Sequence, residues 1–221
     1  MGRFFRNNGL SVVMLVLFLF SLLGQSIMGF HEYNQDQEEH RQPTVTYVEY
    51  HTTGHFVEAV FENWESEFLQ MAAYVLLTAF LFQKGSAESK DPDKENPADE
   101  DPLKSQHKKD APWPVRRGGL ALKLYQNSLF TVLFLLFLIS FALHAAGGAK
   151  QYNEEQQAHG APVVSTAGYI GTSRFWFESF QNWQSEFLSV ASIVLLSIWL
   201  RQQGSPESKP VATPHSQTGN D

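Results

Sequence analysis

The amino-acid sequence predicts an all-α membrane protein with four transmembrane helices, formed by two tandem parallel two-helix repeats. Three observations lead to this fold class. The apolar residues collect in four blocks, the chain resembles itself at a fixed offset, and most Lys and Arg residues fall on one side of the blocks. The sequence indicates architecture more directly than activity, because none of these patterns specifies a chemical reaction.

The apolar blocks predict the membrane spans. Residues 7–30 and 124–149 contain no Asp, Glu, Lys or Arg. Each block exceeds the ~20 residues that a helix needs to cross the hydrocarbon core. Two shorter uncharged blocks cover 68–83 and 187–200. The predicted spans are about 8–30, 63–83, 124–147 and 183–201.

A cleaved signal peptide is an alternative interpretation of the first block. Arg3 and Arg6 precede the apolar run, and Gly24, Gln25 and Ser26 resemble a cleavage site. The equivalent block later in the chain is internal, and an internal block is not a signal peptide. This comparison favours a permanent first span.

The repeat is visible in two pairs of motifs. "NWESEFL" at 63–69 recurs as "NWQSEFL" at 182–188, and "GSAESK" at 85–90 recurs as "GSPESK", both at an offset of 119 residues. No gap is needed between the paired motifs, which indicates a tandem duplication. We assign repeat 1 to residues 1–90 and repeat 2 to 121–209. Two spans per repeat give both repeats the same orientation in a membrane.

Charge predicts the orientation. The 91–120 segment is rich in Pro and charge and is predicted to be a disordered cytoplasmic linker, and the 210–221 tail is also predicted to be disordered. With both termini and the linker inside, thirteen of the sixteen Lys and Arg residues are cytoplasmic, which favours this topology. Thirteen of the 23 acidic residues then lie outside, where they would attract cations.

The second and fourth spans are expected to begin upstream of their apolar blocks. The uncharged stretch before Arg201 is too short to cross a bilayer, and aromatic residues recur upstream at helical spacing. We expect these helices to begin near Thr53 and Ser173, whose hydroxyls suit N-caps, and to run for about 30 residues. Trp64 and Trp183 are then interface anchors in the outer aromatic belt.

A polar stripe follows from this placement. At 100° per residue, Asn63 and Glu67 lie on one face of their helix, as do Asn182 and Glu186 on the other. Lipid disfavours such a face, so we expect it to turn inward. The candidate ion or proton site comprises Glu67, Glu186, Asn63, Asn182, Gln25 and His144. The alternative is that these groups only join helices by hydrogen bonds, with the carboxylates reaching water by snorkelling.

Other chemistry has little support in the sequence. His51 and His55 have the i, i+4 spacing of a metal pair, but only one repeat has it, so the metal candidate is weak. His40 and His159 occur in both repeats and suggest packing of the outer loops or a pH response. The chain has no Cys and no P-loop, dinucleotide, nucleophile-elbow or HExxH motif. We therefore expect no enzyme activity, no cofactor and no nucleic-acid partner.

The motifs resemble a known family. "NWESEFLQMAAYVLLTAFLFQKGSAESK", "NWQSEFL" and "LRQQGSPESKPV" are similar to an uncharacterised domain-of-unknown-function family of bacterial integral membrane proteins. The resemblance covers nearly the whole chain outside the linker. It implies a bacterial cytoplasmic (inner) membrane location, and it implies no activity, substrate or catalytic residue.

The function expected from these observations is non-enzymatic. The chain fits a structural, interaction or stress-accessory membrane protein whose partners are the lipid bilayer and either further copies of itself or another membrane protein. The small residues in 142–149 would permit close helix contact. The alternative is a small cation- or proton-conducting protein that uses Glu67 and Glu186.

Overall fold

All regular secondary structure in the described part of the chain is helical. The structure, a computed structural model, describes residues 2–219. The α-helices are α1 (Gly2–Glu39), α2 (Tyr47–Tyr50), α3 (Gly54–Leu77), α4 (Trp113–Arg117), α5 (Gly119–Gln126), α6 (Ser128–Ala158), α7 (Thr166–Ile170) and α8 (Ser173–Leu196). Two 3-10 helices, Pro97–Asp99 and Pro102–Ser105, lie between α3 and α4. The predicted all-α fold is confirmed.

Helices α1 and α6 are long and apolar enough to cross a membrane. Only 6% of the most apolar window of α1 is buried within the protein, and 17% of that of α6. The side chains from Val13 to Phe20 are all exposed, and eight consecutive residues cover every side of a helix. The buried residues of α1, Ser26 and Tyr33, both lie in its second half. An apolar helix that is exposed all round is typical of a segment surrounded by lipid.

Helices α3 and α8 begin close to the residues that the sequence indicates. The hydroxyl of Thr53 accepts a hydrogen bond from the Phe56 amide at 3.2 Å, and Thr172 accepts one from Phe175 at 3.3 Å. The second cap is therefore Thr172 rather than Ser173. Each helix has 24 residues instead of the expected 30, and each ends where a residue with a hydroxyl side chain follows, Thr78 or Ser197.

The chain divides into two compact units. The first contains the residues up to Phe61 together with Ala142–Phe175, and the second contains Glu62–Phe141 together with the residues from Trp176 onward. In the first unit, the Asn34 side chain bonds the backbone of Val45 in both directions, at 2.8 and 3.0 Å. Asn153 binds Val164 in the same way, both at 2.8 Å. Each asparagine thus connects the last turns of a long helix to the following loop by two hydrogen bonds.

The core of the first unit contains two tyrosines, Tyr50 and Tyr169, which are 1% and 0% exposed. Each lies at or near the end of a short helix, α2 or α7. Gly148 lies against the Tyr169 side chain, so that a Cβ added there would lie 2.7 Å from the phenol oxygen. Tyr50 covers Gly29 in the same manner. A glycine at each position lets the long helix approach the ring.

In the second unit, short turns follow α3 and α8. Gly85 and Gly204 have φ values of +86° and +83°, a conformation that glycine adopts without strain. Between α3 and α6, the structure contains turns, the two 3-10 helices, α4 and α5. Val115 of α4 is buried, and the Arg117 guanidinium lies 5.1 Å from the centre of the Trp113 ring. The burial of Val115 and the contact between Arg117 and Trp113 stabilise a short helix within the segment that composition predicts to be disordered.

Candidate functional site

A buried polar cluster lies in the first unit. Glu58, His144 and Tyr169 are 7%, 0% and 0% exposed. The Tyr169 hydroxyl donates to Glu58 Oε1 at 3.0 Å, and a Glu58 carboxylate oxygen lies within 4.8 Å of a His144 ring nitrogen. The His144 ring also stacks on Phe175, with ring centres 4.8 Å apart. Carboxylate, phenol and imidazole are groups that exchange protons or bind cations.

Close helix packing brings this cluster together. A Cβ on Gly147 would lie 2.6 Å from the Glu58 amide nitrogen, and one on Gly54 would lie 2.7 Å from the Gly147 carbonyl oxygen. The small residues of α6 therefore permit contact with α3 inside this unit. The sequence analysis singles out His144 but does not group it with Glu58, which follows the His51 and His55 pair, or with Tyr169. The sequence signal for this packing is the pair Gly147 and Gly148, which follows His144 by three and four residues, about one helical turn.

The other histidines that the sequence singles out have protein partners. The two ring nitrogens of His51 lie 2.8 Å from Ser26 Oγ and from the Tyr47 carbonyl oxygen. His55 Nδ1 lies 3.0 Å from the Tyr50 hydroxyl, and its Nε2 lies 3.1 Å from Glu32 Oε2. A metal ion bound by this pair would have to displace these contacts. Gln25 donates from Nε2 to the Ala59 carbonyl at 3.1 Å and joins α1 to α3.

The predicted carboxylate pair lies in the second unit. Glu67 is exposed and Glu186 is half-buried, and the two are near enough to repel each other electrostatically. The predicted stripe residue Asn63 is exposed, and Asn182 is half-buried. The structure thus brings the two carboxylates near each other, although it does not enclose them.

Two other residues of α3 are buried more deeply than the predicted pair. Glu65 is 0% exposed and Ser66 is 2% exposed. The indole N–H of Trp183 donates to Glu65 Oε1 at 3.0 Å, so this predicted interface anchor also binds a buried carboxylate. Trp64, the other predicted anchor, packs its ring edge-to-face with Phe68 at 6.5 Å.

The two GSxESK motifs form the same local structure. Ser89 Oγ accepts from the Gln83 amide at 2.9 Å, and Ser208 Oγ accepts from the Gln202 amide at 2.9 Å. In both turns the serine hydroxyl also donates to the carbonyl of the lysine that follows, at 3.0 and 3.1 Å. The sequence motif therefore specifies a turn that caps the backbone after α3 and after α8.

The second motif ends in a buried lysine. Lys209 is 1% exposed, and its ammonium donates to the carbonyls of Gly85 at 2.5 Å, Gln217 at 2.8 Å and His215 at 3.0 Å. Burial lowers the pKa of this ammonium, and Arg201 lowers it further. No sequence pattern distinguishes this lysine from Lys90, which instead pairs with Asp99 at 2.5 Å.

Comparison with known proteins yields one family. Residues 1–220 match a family described as a domain of unknown function (DUF6766). No curated protein and no solved structure matches the chain.

Proposed function

The chain belongs to the DUF6766 family, a domain of unknown function, and we propose that it is a non-enzymatic integral membrane protein of structural, interaction or stress-accessory type. In this proposal it crosses the bacterial inner membrane four times, with both termini in the cytoplasm. Its partners are the bilayer and either further copies of the chain or another membrane protein.

The observation that carries this proposal is the exposure of α1. Burial of apolar surface stabilises a folded protein by roughly 25 cal/mol per Å². The α1 segment from Val13 to Phe20 has only apolar side chains and leaves all of them exposed. A lipid environment removes this surface from water, and a second copy of the chain packed against α1 would cover part of it as well.

The four-span arrangement is supported by the paired local structures. The Asn34–Val45 and Asn153–Val164 bonds, the threonine caps of α3 and α8, and the two serine turns recur at an offset of 119 residues. Such agreement is expected of a tandem duplication. If α1 and α6 span the membrane, α3 and α8 return the chain, and 24 residues extend for about 36 Å.

The topology is tested by labelling single cysteines in intact cells. The chain has no Cys, and both Thr44 and Asp93 are exposed. We expect a membrane-impermeant maleimide to label Thr44→Cys from outside and to label Asp93→Cys only after permeabilisation. Labelling of Asp93→Cys in sealed cells would contradict the proposed orientation.

Self-association is tested in nanodiscs. Four of the six small residues in 142–149, namely Ala145, Gly147, Gly148 and Ala149, are already buried within the chain. An interface between copies is therefore expected on α1. We expect Phe20→Ala, which truncates a side chain that is 75% exposed, to shift the mass distribution toward the monomer. An unchanged distribution would argue against α1 as the interface.

The second candidate function is cation or proton conduction. The specific observation that favours conduction is the electrostatic repulsion between Glu67 and Glu186, which come from different halves of the chain. Conduction is tested by measuring the flux of protons or potassium into liposomes that contain the protein. The test variant is the double mutant Glu67→Gln/Glu186→Gln. Glu95→Gln, which neutralises an exposed carboxylate outside the helices, is the control. Equal flux in all three proteins would eliminate conduction through these residues.

A further inference from the structure

The ends of α1 and α6 in the first unit enclose a cavity of about 500 Å³. This volume falls within the range of cavities that bind small molecules. Its wall includes Tyr33, Asp36, Gln151, Glu154 and Glu155. His40 and His159, the histidines shared by the two outer loops, also line it. The loop histidines therefore lie at one cavity.

The cavity has many hydrogen-bond acceptors and a negative charge. Its lining contains three carboxylates and four glutamines but no Lys or Arg. Arg174 neutralises Glu155 from outside the cavity by an ion pair. Glu154 is half-buried and accepts a hydrogen bond from the Tyr33 hydroxyl at 3.3 Å. No Lys, Arg or His among residues 2–219 pairs with Glu154, so its charge is available to a ligand.

A buried acceptor in the wall indicates what the ligand must supply. Gln151 is 9% exposed, and its side-chain oxygen is buried without a hydrogen-bond partner among residues 2–219. Its amide nitrogen donates to Glu155 Oε1 at 3.3 Å. Rotating the amide would instead place two oxygens against each other, so the hydrogen-bond geometry fixes the assignment. A buried acceptor without a donor is costly, and a ligand with N–H groups would remove that cost.

We propose that this cavity binds a small organic cation with several N–H donors, of the linear polyamine class. Glu154 would supply the charge, Gln151 would accept a hydrogen bond, and Tyr33 would provide an aromatic surface, while Asp36 lies 3.2 Å from His40. Among the described residues, the cavity's carboxylates and imidazoles do not bring three ligand atoms within 4.8 Å of one another. The spread of acceptors therefore suits an elongated cation better than a bare metal ion.

Calorimetry on the full-length protein in detergent, with spermidine as the probe, tests this proposal. We expect saturable binding to the wild type. Glu154→Gln keeps the shape of the side chain and removes its charge, so we expect the Kd to rise about tenfold, the scale of one charge-assisted hydrogen bond. Gln151→Leu should also raise the Kd while leaving the melting temperature unchanged or higher, because it removes a buried acceptor that has no donor.

The matched control is Glu38→Gln, which neutralises an exposed carboxylate near the end of α1, outside the cavity. It should change the Kd by about twofold or less, as exposed charges contribute little. Spermidine binding that is absent, equal in wild type and Glu154→Gln, or equally reduced by Glu38→Gln would overturn the proposal. Magnesium binding of equal strength at the same ionic strength, with the same sensitivity to Glu154→Gln, would also overturn it. Because binding is measured in detergent, this result is independent of the membrane orientation and of ion flux.

Discussion

Gly148 occupies a position in which any side chain would collide with the core of the first unit. A Cβ there would lie 2.5 to 2.8 Å from three atoms of the Tyr169 phenol group, and that side chain is fully buried. We therefore expect Gly148→Ala to destabilise the protein by about 1 to 3 kcal/mol, the usual cost of overpacking. Thermal unfolding in detergent, followed by circular dichroism, measures the change.

Gly24→Ala provides the comparison for that variant. Gly24 also lies within a long helix, and a Cβ there would meet no atom of the described residues within 4 Å. The substitution should leave stability unchanged or raise it by up to about 1 kcal/mol, since alanine favours helix more than glycine does. Equal destabilisation by both substitutions would show that the contact between Gly148 and Tyr169 is not the cause.

Tyr50 predicts a loss of stability in alkaline solution. Burial raises the pKa of Tyr50 to about 12, and Glu32, Tyr33 and Tyr47 add to the shift. Below pH 10 the phenol is protonated in both the folded and unfolded states. Between pH 10 and 12 only the unfolded state releases the proton, so the free energy of unfolding falls by up to about 1.4 kcal/mol per pH unit.

Unfolding measured at pH 9, 10 and 11 tests this dependence. Tyr50→Phe should weaken the decline, although it also removes the hydrogen bond to His55 and lowers stability at every pH. Tyr125→Phe, which removes a hydroxyl from a residue that is 47% exposed, should keep the wild-type decline. Parallel curves for wild type and Tyr50→Phe would contradict the prediction.

The residues of α3 show what the sequence can and cannot predict about a site. Helical spacing predicts which residues share a face, but it does not determine which polar face is buried. The repeat directs attention to Glu67 and Glu186, whereas the structure buries Glu58, Glu65 and Ala72, which are spaced seven residues apart. At the offset of 119 residues, the position that corresponds to Glu65 is Gln184, so the predicted duplication gives no signal for Glu65. The ion-site hypothesis for Glu67 and Glu186 stays a prediction.

At the scale of elements, we expect Lys209 to hold the C-terminal segment in an ordered conformation. Composition predicts disorder from residue 210, yet the ammonium of Lys209 binds carbonyls of Gly85, His215 and Gln217. The Gly219 amide also donates to the Ser86 carbonyl at 2.9 Å. We expect Lys209→Met to leave these carbonyls without their donor and to accelerate amide hydrogen exchange in 210–219 by about tenfold or more.

Lys84→Met is the control for the exchange experiment, because Lys84 is exposed and lies beside the same turn. It should leave the exchange of 210–219 unchanged. Fast exchange of this segment already in the wild type would support the disorder that composition predicts, and it would show that Lys209 does not order the tail.

Among the helix boundaries, the sequence predicts the starts of α3 and α8 best. The hydroxyl at Thr53 marks the start of α3 because a side-chain acceptor before a helix satisfies a free amide. The ends at Leu77 and Leu196 are less predictable, since apolar residues continue to Phe82 and Leu200. After each of these ends the chain turns into a GSxESK motif. At the end of α8, the Ser197 hydroxyl accepts a hydrogen bond from the Ala87 amide at 3.1 Å. That contact joins residues far apart in sequence.

At the scale of the whole molecule, the two halves of the chain contact each other inside both compact units. In the first unit, Lys150 donates to the Thr52 carbonyl at 2.7 Å, and Tyr169 donates to Glu58. In the second unit, Trp183 binds Glu65. None of these contacts involves the 91–112 segment. The connection between the halves is therefore predicted to be dispensable for assembly.

Co-expression of residues 1–90 and 113–221 as separate chains, with an affinity tag on one, tests that prediction. We expect the untagged half to copurify in about equal amounts, because burial of the contacts between the halves offsets the loss of the covalent connection. Introducing Gly148→Ala should lower the recovery, since it disturbs packing within the second half at the residues that bind Glu58. Recovery of the tagged half alone would show that the halves cannot associate once separated and that the linker is needed to raise their local concentration.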